Sequence, residues 1–230
     1  MNRWLKVAWQ AVIVLAVPVV LIVMPIRGLM HPRWVLFEYA RPNFPADDFG
    51  FSTQERTRLA ITGIESIVGP RGVVVLQEAR LADGSPAFVE REIGHMLDVR
   101  VVTRNIYLAQ VALLIASAAA VIALMRQRET RAAAPAALLT GAITTVVLLV
   151  ALVFFVLTGF DTFFTAFHRV FFSGDTWLFN FSDTLIRLYP PQFWFDAATV
   201  IGVTSIVEAI VLGVAAWWWG RMARKSRSTL

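Results

Sequence analysis

The sequence predicts an α-helical membrane protein: four transmembrane helices, with a small mixed α/β extracellular cap between helices one and two. Three observations carry this. Of the 230 residues, 57% are hydrophobic and only 16% are charged, which is too apolar for an ordinary soluble domain. Four stretches reach the ~20 apolar residues needed to cross a hydrocarbon core. The basic residues cluster beside those stretches rather than on one face of a soluble domain.

The first span lies within residues 1–25, with Gln10 as its one polar interruption and a kink expected at Pro18. Arg3 and Lys6 before it resemble the start of a signal peptide. No small-x-small cleavage site follows, and Pro25-Ile26-Arg27 comes directly after, so the segment reads as a retained anchor. The second span covers 105–125. The third covers 136–160, after Pro135, a good first-turn residue. The fourth covers 197–219 and carries Glu208 near its middle. An ionisable group at that depth is costly and needs a partner or water. A protonated Glu208 bonded to Ser117 or Thr144 accounts for it as well as a functional role does.

Charge sets the expected orientation. Arg3, Lys6, Arg126, Arg128, Arg131, Arg221, Arg224, Lys225 and Arg227 share one side with a single acid, Glu129. The positive-inside bias makes the 126–135 loop, the 220–230 basic tail and the N-terminus cytoplasmic. The 26–104 segment holds ten arginines and ten acids, and the 161–196 loop holds Arg169 and Arg187 against four aspartates. Both are therefore expected outside. The net charge of +5 sits beside the spans and does not point to nucleic acid. The absence of cysteine excludes disulfides and thiolate chemistry and leaves any metal site only His, Asp and Glu ligands.

The 26–104 cap is only marginally large enough for a core of its own, so it is expected to rest on the membrane helices. Ser52-Thr53-Gln54-Glu55 is a capping box. It opens a helix with Leu59, Ile64, Ile67 and Val68 at helical spacing, which Gly69-Pro70 stops. Residues 34–39 and 73–76 read as short strands, and 82–86 as a turn. Residues 88–104 read as a helix leading into span two. On it Glu92 stands three residues before His95 and Asp98 three after, so either carboxylate is placed to hold a ring nitrogen and fix the tautomer. An exposed histidine on a charged helix is the plainer reading of the same pattern.

The second outer segment is aromatic. Residues 154–195 carry 15 of the 28 aromatic side chains, more than an interfacial belt requires. Phe167, Phe171, Phe172, Phe179 and Trp194 are read as walls of an apolar pocket at the headgroup level, or as packing under the cap. Asp183 and Pro190-Pro191 bracket a short helix. His168 lies in this segment, just past span three. Two of the three histidines thus face one side of the membrane, where imidazoles suit proton transfer.

These pieces together resemble the Lit family of lipoprotein intramolecular transacylases. The resemblance rests on Glu92, His95-Met96 and Asp98-Val99. It rests equally on Phe167-His168 with Phe171-Phe172, on Asp175-Thr176-Trp177 with Phe179, and on Asp183-Thr184-Leu185-Ile186 with Leu188-Tyr189-Pro190 and Phe193-Trp194. It covers nearly the whole chain. It implies a bacterial cell-membrane enzyme with catalytic histidines, here His95 and His168, and no cofactor or metal. Its substrates would be diacylglyceryl-modified lipoproteins in the lipid bilayer. The implied reaction moves the sn-2 acyl chain of the N-terminal cysteine onto that cysteine's own amine.

That chemistry suits these residues. An α-amine with a pKa of roughly 8 must shed a proton before attacking, and imidazole is suited to take it and return it to the glycerol oxygen. Nucleophile and ester lie on one molecule, so confinement in a dry pocket supplies much of the rate. His95 is expected as general base, oriented by Glu92 or Asp98, and His168 as the group that polarises the carbonyl, although spacing also permits the reverse. Arg91, Arg169 and the Trp177 indole N–H are candidate oxyanion donors. The competing readings are another acyltransferase or hydrolase using the same pair, a scaffold or sensor without catalysis, and a metal site built on the two histidines and one carboxylate.

Overall fold

The computed structural model describes residues 1–228, with side chains through Arg224. The Lys225 and Arg227 side chains of the basic tail lie outside the described residues. The chain forms nine helices among the described residues: α1 (Arg3–Leu29), α2 (Pro32–Tyr39), α3 (Thr53–Val68), α4 (Val74–Glu78), α5 (Glu90–Met125), α6 (Ala133–Thr158), α7 (Phe160–Phe171), α8 (Thr184–Leu188) and α9 (Pro191–Ser228). Of these, α1, α5, α6 and α9 are long and apolar enough to cross a membrane. Two compact units emerge. One comprises Met1–Pro25, Ile106–Thr158 and the chain from Val200 onward; the other comprises Ile26–Asn105 and Gly159–Thr199.

In the first unit small side chains let helices approach. Ile13 and Val17 of α1 pack with Ala120 and Leu124 of α5 and with Ala133, Ala134 and Ala137 of α6. Gly141 takes Val17 so closely that a Cβ there would stand 2.8 Å from the valine Cβ. Small residues at close crossings are the usual means of packing helices where lipid removes the hydrophobic drive. Two side chains add polar cross-links to α1: Gln110 Nε2 donates to the Val20 carbonyl at 3.1 Å, and Ser205 Oγ to that of Leu21 at 3.1 Å. The α1 helix runs on through Pro18 and Pro25, since in lipid every backbone group left out of the helix stays unsatisfied. Glu208 Oε2 and Ser117 Oγ are both enclosed without hydrogen-bond partners, so the anticipated bond between them does not form.

In the second unit the expected α/β cap is replaced by helices. No strand occurs among the described residues; the nearest approach is a single antiparallel bridge between Arg80 and Pro86 around the 82–86 turn. The 34–39 run is α2, because Pro32 starts a helix with its preset φ and His31 caps it, Nδ1 accepting from Arg33 N at 3.1 Å. Its buried residues Trp34, Val35 and Glu38 follow helical spacing, not alternation. The 73–76 run supplies the N-cap, Val73, and the first three residues of α4. A short apolar run is ambiguous in period, and no partner strand exists for it.

Ser52 caps α3 as anticipated, Oγ accepting from Glu55 N at 3.1 Å. Glu55 does not return the bond to Ser52; its carboxylate pairs with Arg58. Leu59, Ile64 and Ile67 are buried, whereas Val68 at the helix end is 44% exposed.

Much of this unit is fastened by polar clamps. Arg187 grips Asp47 through two bonds of 2.9 Å. Arg56 donates to the carbonyls of Arg187 and Pro45 at 2.8 and 2.6 Å. Tyr189 donates to the Ala60 carbonyl at 2.6 Å, which is possible because Gly63 leaves room: a Cβ there would stand 2.2 Å from the tyrosine oxygen. Gly63→Ala is therefore expected to break this bond and cost about 1–3 kcal/mol. Gly94→Ala, where a Cβ meets nothing within 4 Å, is expected to stabilise α5 by up to about 1 kcal/mol. Thermal unfolding of both variants in detergent checks the pair; an unchanged midpoint for Gly63→Ala would contradict the packing described.

Candidate functional site

His95 lies on the second turn of α5, in the polar stretch that precedes the apolar part of the helix. It is 8% exposed. His168 lies on the last full turn of α7, half-buried, and belongs to the same compact unit. Their ring centres are 6.2 Å apart and the rings are inclined by 24°. Aromatic side chains enclose them. Phe172 stands 4.9 Å from His95 and 5.5 Å from His168, Phe179 is 5.4 Å from His95, and Trp177 is 4.9 Å from His168.

The two imidazoles are held differently. Nδ1 of His168 is 2.8 Å from the Phe164 carbonyl, one helical turn back. A carbonyl only accepts, so Nδ1 carries the proton and Nε2 keeps the lone pair. His95 Nδ1 is buried with no hydrogen-bond partner. Burial, helped by the nearby His168, drives the His95 imidazole down to about 4. Burial also lowers His168, but the carbonyl bond works against that fall. Both rings are thus neutral at physiological pH.

Glu92 is not brought to His95. It is 1% exposed, and its carboxylate accepts from Val89 N at 2.9 Å and from Leu185 N at 2.7 Å, linking the start of α5 to the start of α8. Burial raises its pKa and those two amides oppose the rise. Asp98 points to the exposed side of α5. Neither carboxylate therefore orients His95.

The oxyanion candidates also separate. Arg91 pairs with Asp183 and lies 5.6 Å over the Phe179 ring, so it backs one wall of the histidine site. The Trp177 indole N–H is already donated to the Gly174 carbonyl at 3.1 Å. Arg169 is exposed on the far side of α7.

Of the expected pocket, Phe172 and Phe179 line the histidines. Phe167 meets His168 edge-on at 5.6 Å and Phe171 packs on Phe167 at 4.9 Å, both with open faces. Trp194 instead packs on Tyr189 and Phe193. No three His, Asp or Glu side chains gather as a metal-ligand set among the described residues. The Phe164 carbonyl went unnoticed in the sequence because residues 161–196 read as a loop; in a helix its spacing of four from His168 is the signal.

Fold and site define a multi-pass helical membrane protein with an aromatic-walled pair of neutral histidines. Residues 11–194 match the family described as lipoprotein intramolecular transacylase Lit. A relative from Aquifex aeolicus (strain VF5), described as an uncharacterized protein, is 30% identical over 211 residues, covering 87% of this chain and 89% of its own. The membrane-integral lipoprotein intramolecular transacylase Lit from Bacillus cereus superposes with a TM-score of 0.70 at 18% identity, over 97% of this chain and 100% of that one. A form of that enzyme with one histidine replaced by arginine superposes at 0.65, over 96% and 94% of the two chains, again at 18% identity. The chain belongs to the Lit family: it is a membrane acyltransferase, a lipoprotein intramolecular transacylase.

The depressed His95 pKa has a consequence for stability. Between about 6.5, the unfolded value, and about 4 in the fold, the unfolded chain binds a proton that the folded chain refuses. Stability is then lost as pH falls through that window. Glu92 and Glu38, raised by burial, act in the opposite sense, so the comparison is with His95→Phe. The wild type is expected to lose more of its melting temperature than the variant between pH 7 and pH 4.5. Parallel pH dependence of the two proteins would refute the assignment.

Proposed function

We propose that His95 and His168 carry out the proton transfers by which the sn-2 acyl chain of a diacylglyceryl-modified N-terminal cysteine moves to that cysteine's own amine, giving a lyso-form lipoprotein. The observation that carries this reading is the pair of neutral imidazoles, one buried and one half-buried, 6.2 Å apart between aromatic walls. Two imidazoles this close can both serve one reacting centre placed against their ring nitrogens.

His168 is the general base. Its Nδ1–H is tied to the Phe164 carbonyl, which leaves Nε2 to accept a proton. The neutral amine attacks the ester carbonyl and a C–N bond forms. Nε2 takes the proton from that nitrogen, the bond from carbon to the glycerol oxygen breaks, and the same proton passes to that oxygen. Atoms balance within one molecule and no acyl-enzyme is needed. His95 is the electrophile: neutral at the working pH, it offers a ring N–H to the carbonyl oxygen as charge develops there.

This reverses the roles that spacing first suggested. A base of pKa about 4 lies some four units below an α-amine of roughly 8, a cost of about 5 kcal/mol per transfer. The carbonyl bond on His168 opposes its fall and makes it the better acceptor. Phe172, Phe179, Phe167 and Phe171 supply the apolar surface for acyl chains and keep out the water that would hydrolyse the ester. The basic flanks of α1, α9 and the 126–135 loop support cytoplasmic termini and an outward-facing site in a bacterial cell membrane.

Incubation of a diacylglyceryl lipopeptide with the purified protein, followed by mass spectrometry, tests the reading. Unchanged total mass with the acyl chain on nitrogen is expected. His168→Gln and His95→Gln are each expected to slow product formation by about 10²–10⁴-fold while eluting as folded protein. Full activity in both variants would overturn the assignment, and loss of one acyl chain from the lipopeptide would mean hydrolysis instead.

A further inference from the structure

The α7 helix divides sharply along its length. At 100° per residue, Phe160, Phe163, Phe164, Phe167, Val170 and Phe171 occupy one arc, and Asp161, Thr162, Thr165 and Arg169 the opposite one. None of its twelve residues is buried. Val170 is 76% exposed, and Phe167 and Phe171 are open as well. The phenylalanines stack mainly on one another, Phe163 on Phe167 at 6.2 Å and Phe167 on Phe171 at 4.9 Å. His168 sits at the border of the two arcs.

What covers the apolar arc follows from the chain just before it. The α6 helix has 26 residues, about 39 Å at 1.5 Å per residue, against a hydrocarbon core of about 30 Å. Its C-terminal end at Thr158 therefore reaches the edge of that core, and Gly159 alone separates it from Phe160. A helix starting one residue from the hydrocarbon boundary, apolar on one face and polar on the other, has the form of one that lies along a lipid surface. The arc carries no charge, and Arg169 lies on the opposite arc, exposed.

We propose that the phenylalanine face of α7 docks into the acyl layer of the bilayer, so that the helix itself lies along the membrane interface. This does not depend on which histidine is the base, and it stands or falls apart from the transacylase mechanism.

The chain has no cysteine, so single labels are unambiguous. Val170→Cys and Phe171→Cys on the apolar arc, and Thr162→Cys and Arg169→Cys on the polar arc, are each labelled with a nitroxide. They are reconstituted in phosphatidylethanolamine–phosphatidylglycerol vesicles and read by collision with oxygen and with a water-soluble nickel chelate. The oxygen-to-nickel ratio is expected to be several-fold higher at positions 170 and 171 than at 162 and 169. Equal, water-like ratios at all four positions would overturn docking. Shielding of 170 and 171 from both reagents would overturn it too, because protein, such as a second copy of the chain, would then cover the face. Exposure at Val170 and Thr162 means that labels there displace no packed neighbour. If the other two variants fail to fold, quenching of a fluorophore at 170 but not at 162 by brominated acyl chains decides the question, and equal quenching refutes the proposal.

Discussion

The Glu92 carboxylate takes the backbone N–H of Val89 with one oxygen and that of Leu185 with the other, joining segments 93 residues apart in the sequence. A buried carboxylate is costly unless its lone pairs are used, and here two amides that would otherwise go unsatisfied use them. The bond lies one helical turn before His95. Around it Thr184 Oγ1 donates to the Ala87 carbonyl at 2.7 Å, and Asp183, at the N-cap position of α8, turns its carboxylate to Arg91 and the Asn180 N–H rather than to the helix amides. The five-residue α8 is too short to persist alone. Its place against α5 is what brings the preceding segment, with Trp177 and Phe179, across the histidines. Glu92 thus matters to the site through backbone geometry rather than through a charge on the imidazole.

That arrangement also explains why both rings stay neutral. Each nearby carboxylate is occupied or remote: Glu92 by amides, Asp183 by Arg91 and the Asn180 N–H, Asp98 on the exposed side of its helix. None is left to stabilise an imidazolium, and the aromatic wall removes the water that would. A carboxylate on His168 would raise its basicity further but would bring a charge between the aromatic walls. A helical carbonyl fixes the tautomer without that charge. In the proposed mechanism the cost is a weaker base. The reaction tolerates this because the amine and ester are already joined in one molecule, and orientation replaces part of the barrier that stronger acid–base chemistry would otherwise have to lower.

The spans, the Ser52 cap, the 82–86 turn and the short helix before Pro190 were legible in the sequence because each depends on local chemistry: length of apolar run, a cap residue, a Gly at positive φ, a proline stop. The two supposed strands were not. In α2 the deciding signal was Pro32 followed by burial at 34, 35 and 38, which alternation does not explain; in α4 the run was too short to reveal a period. Both histidines were found, since rare titratable residues stand out in a chain this apolar. Their partners were not. A carboxylate three residues away on a helix invites a side-chain bond, yet Glu92 turned to amides, one of them from a helix far along the chain, and no spacing rule reports such a contact. The Phe164 carbonyl was hidden for another reason, because it acts only if 160–171 is a helix.

The balanced charge of residues 26–104 was first read as a sign of sidedness, and the structure gives it a second cause. In this compact unit Arg41, Arg56, Arg100 and Arg187 work inward. Arg100 donates through one nitrogen to the carbonyls of Ser66, Ile67 and Gly69 at the end of α3. There a cation also meets the negative end of the helix. Arg187 is sandwiched between Asp47 and the Phe51 ring, 3.3 Å from its centroid. Arg41 bridges Glu38, which is fully buried, and Asp196. A unit this small has little apolar area to bury, and an ion pair in such a place yields little net stability against its desolvation. Its stronger effect is on geometry: a planar guanidinium accepts few arrangements, so each clamp fixes the course of a loop that a greasy core would leave free to slide. The site gains from that fixity, because no ion pair between the two neutral imidazoles sets their spacing and only the Phe164 carbonyl and the aromatic walls hold them directly.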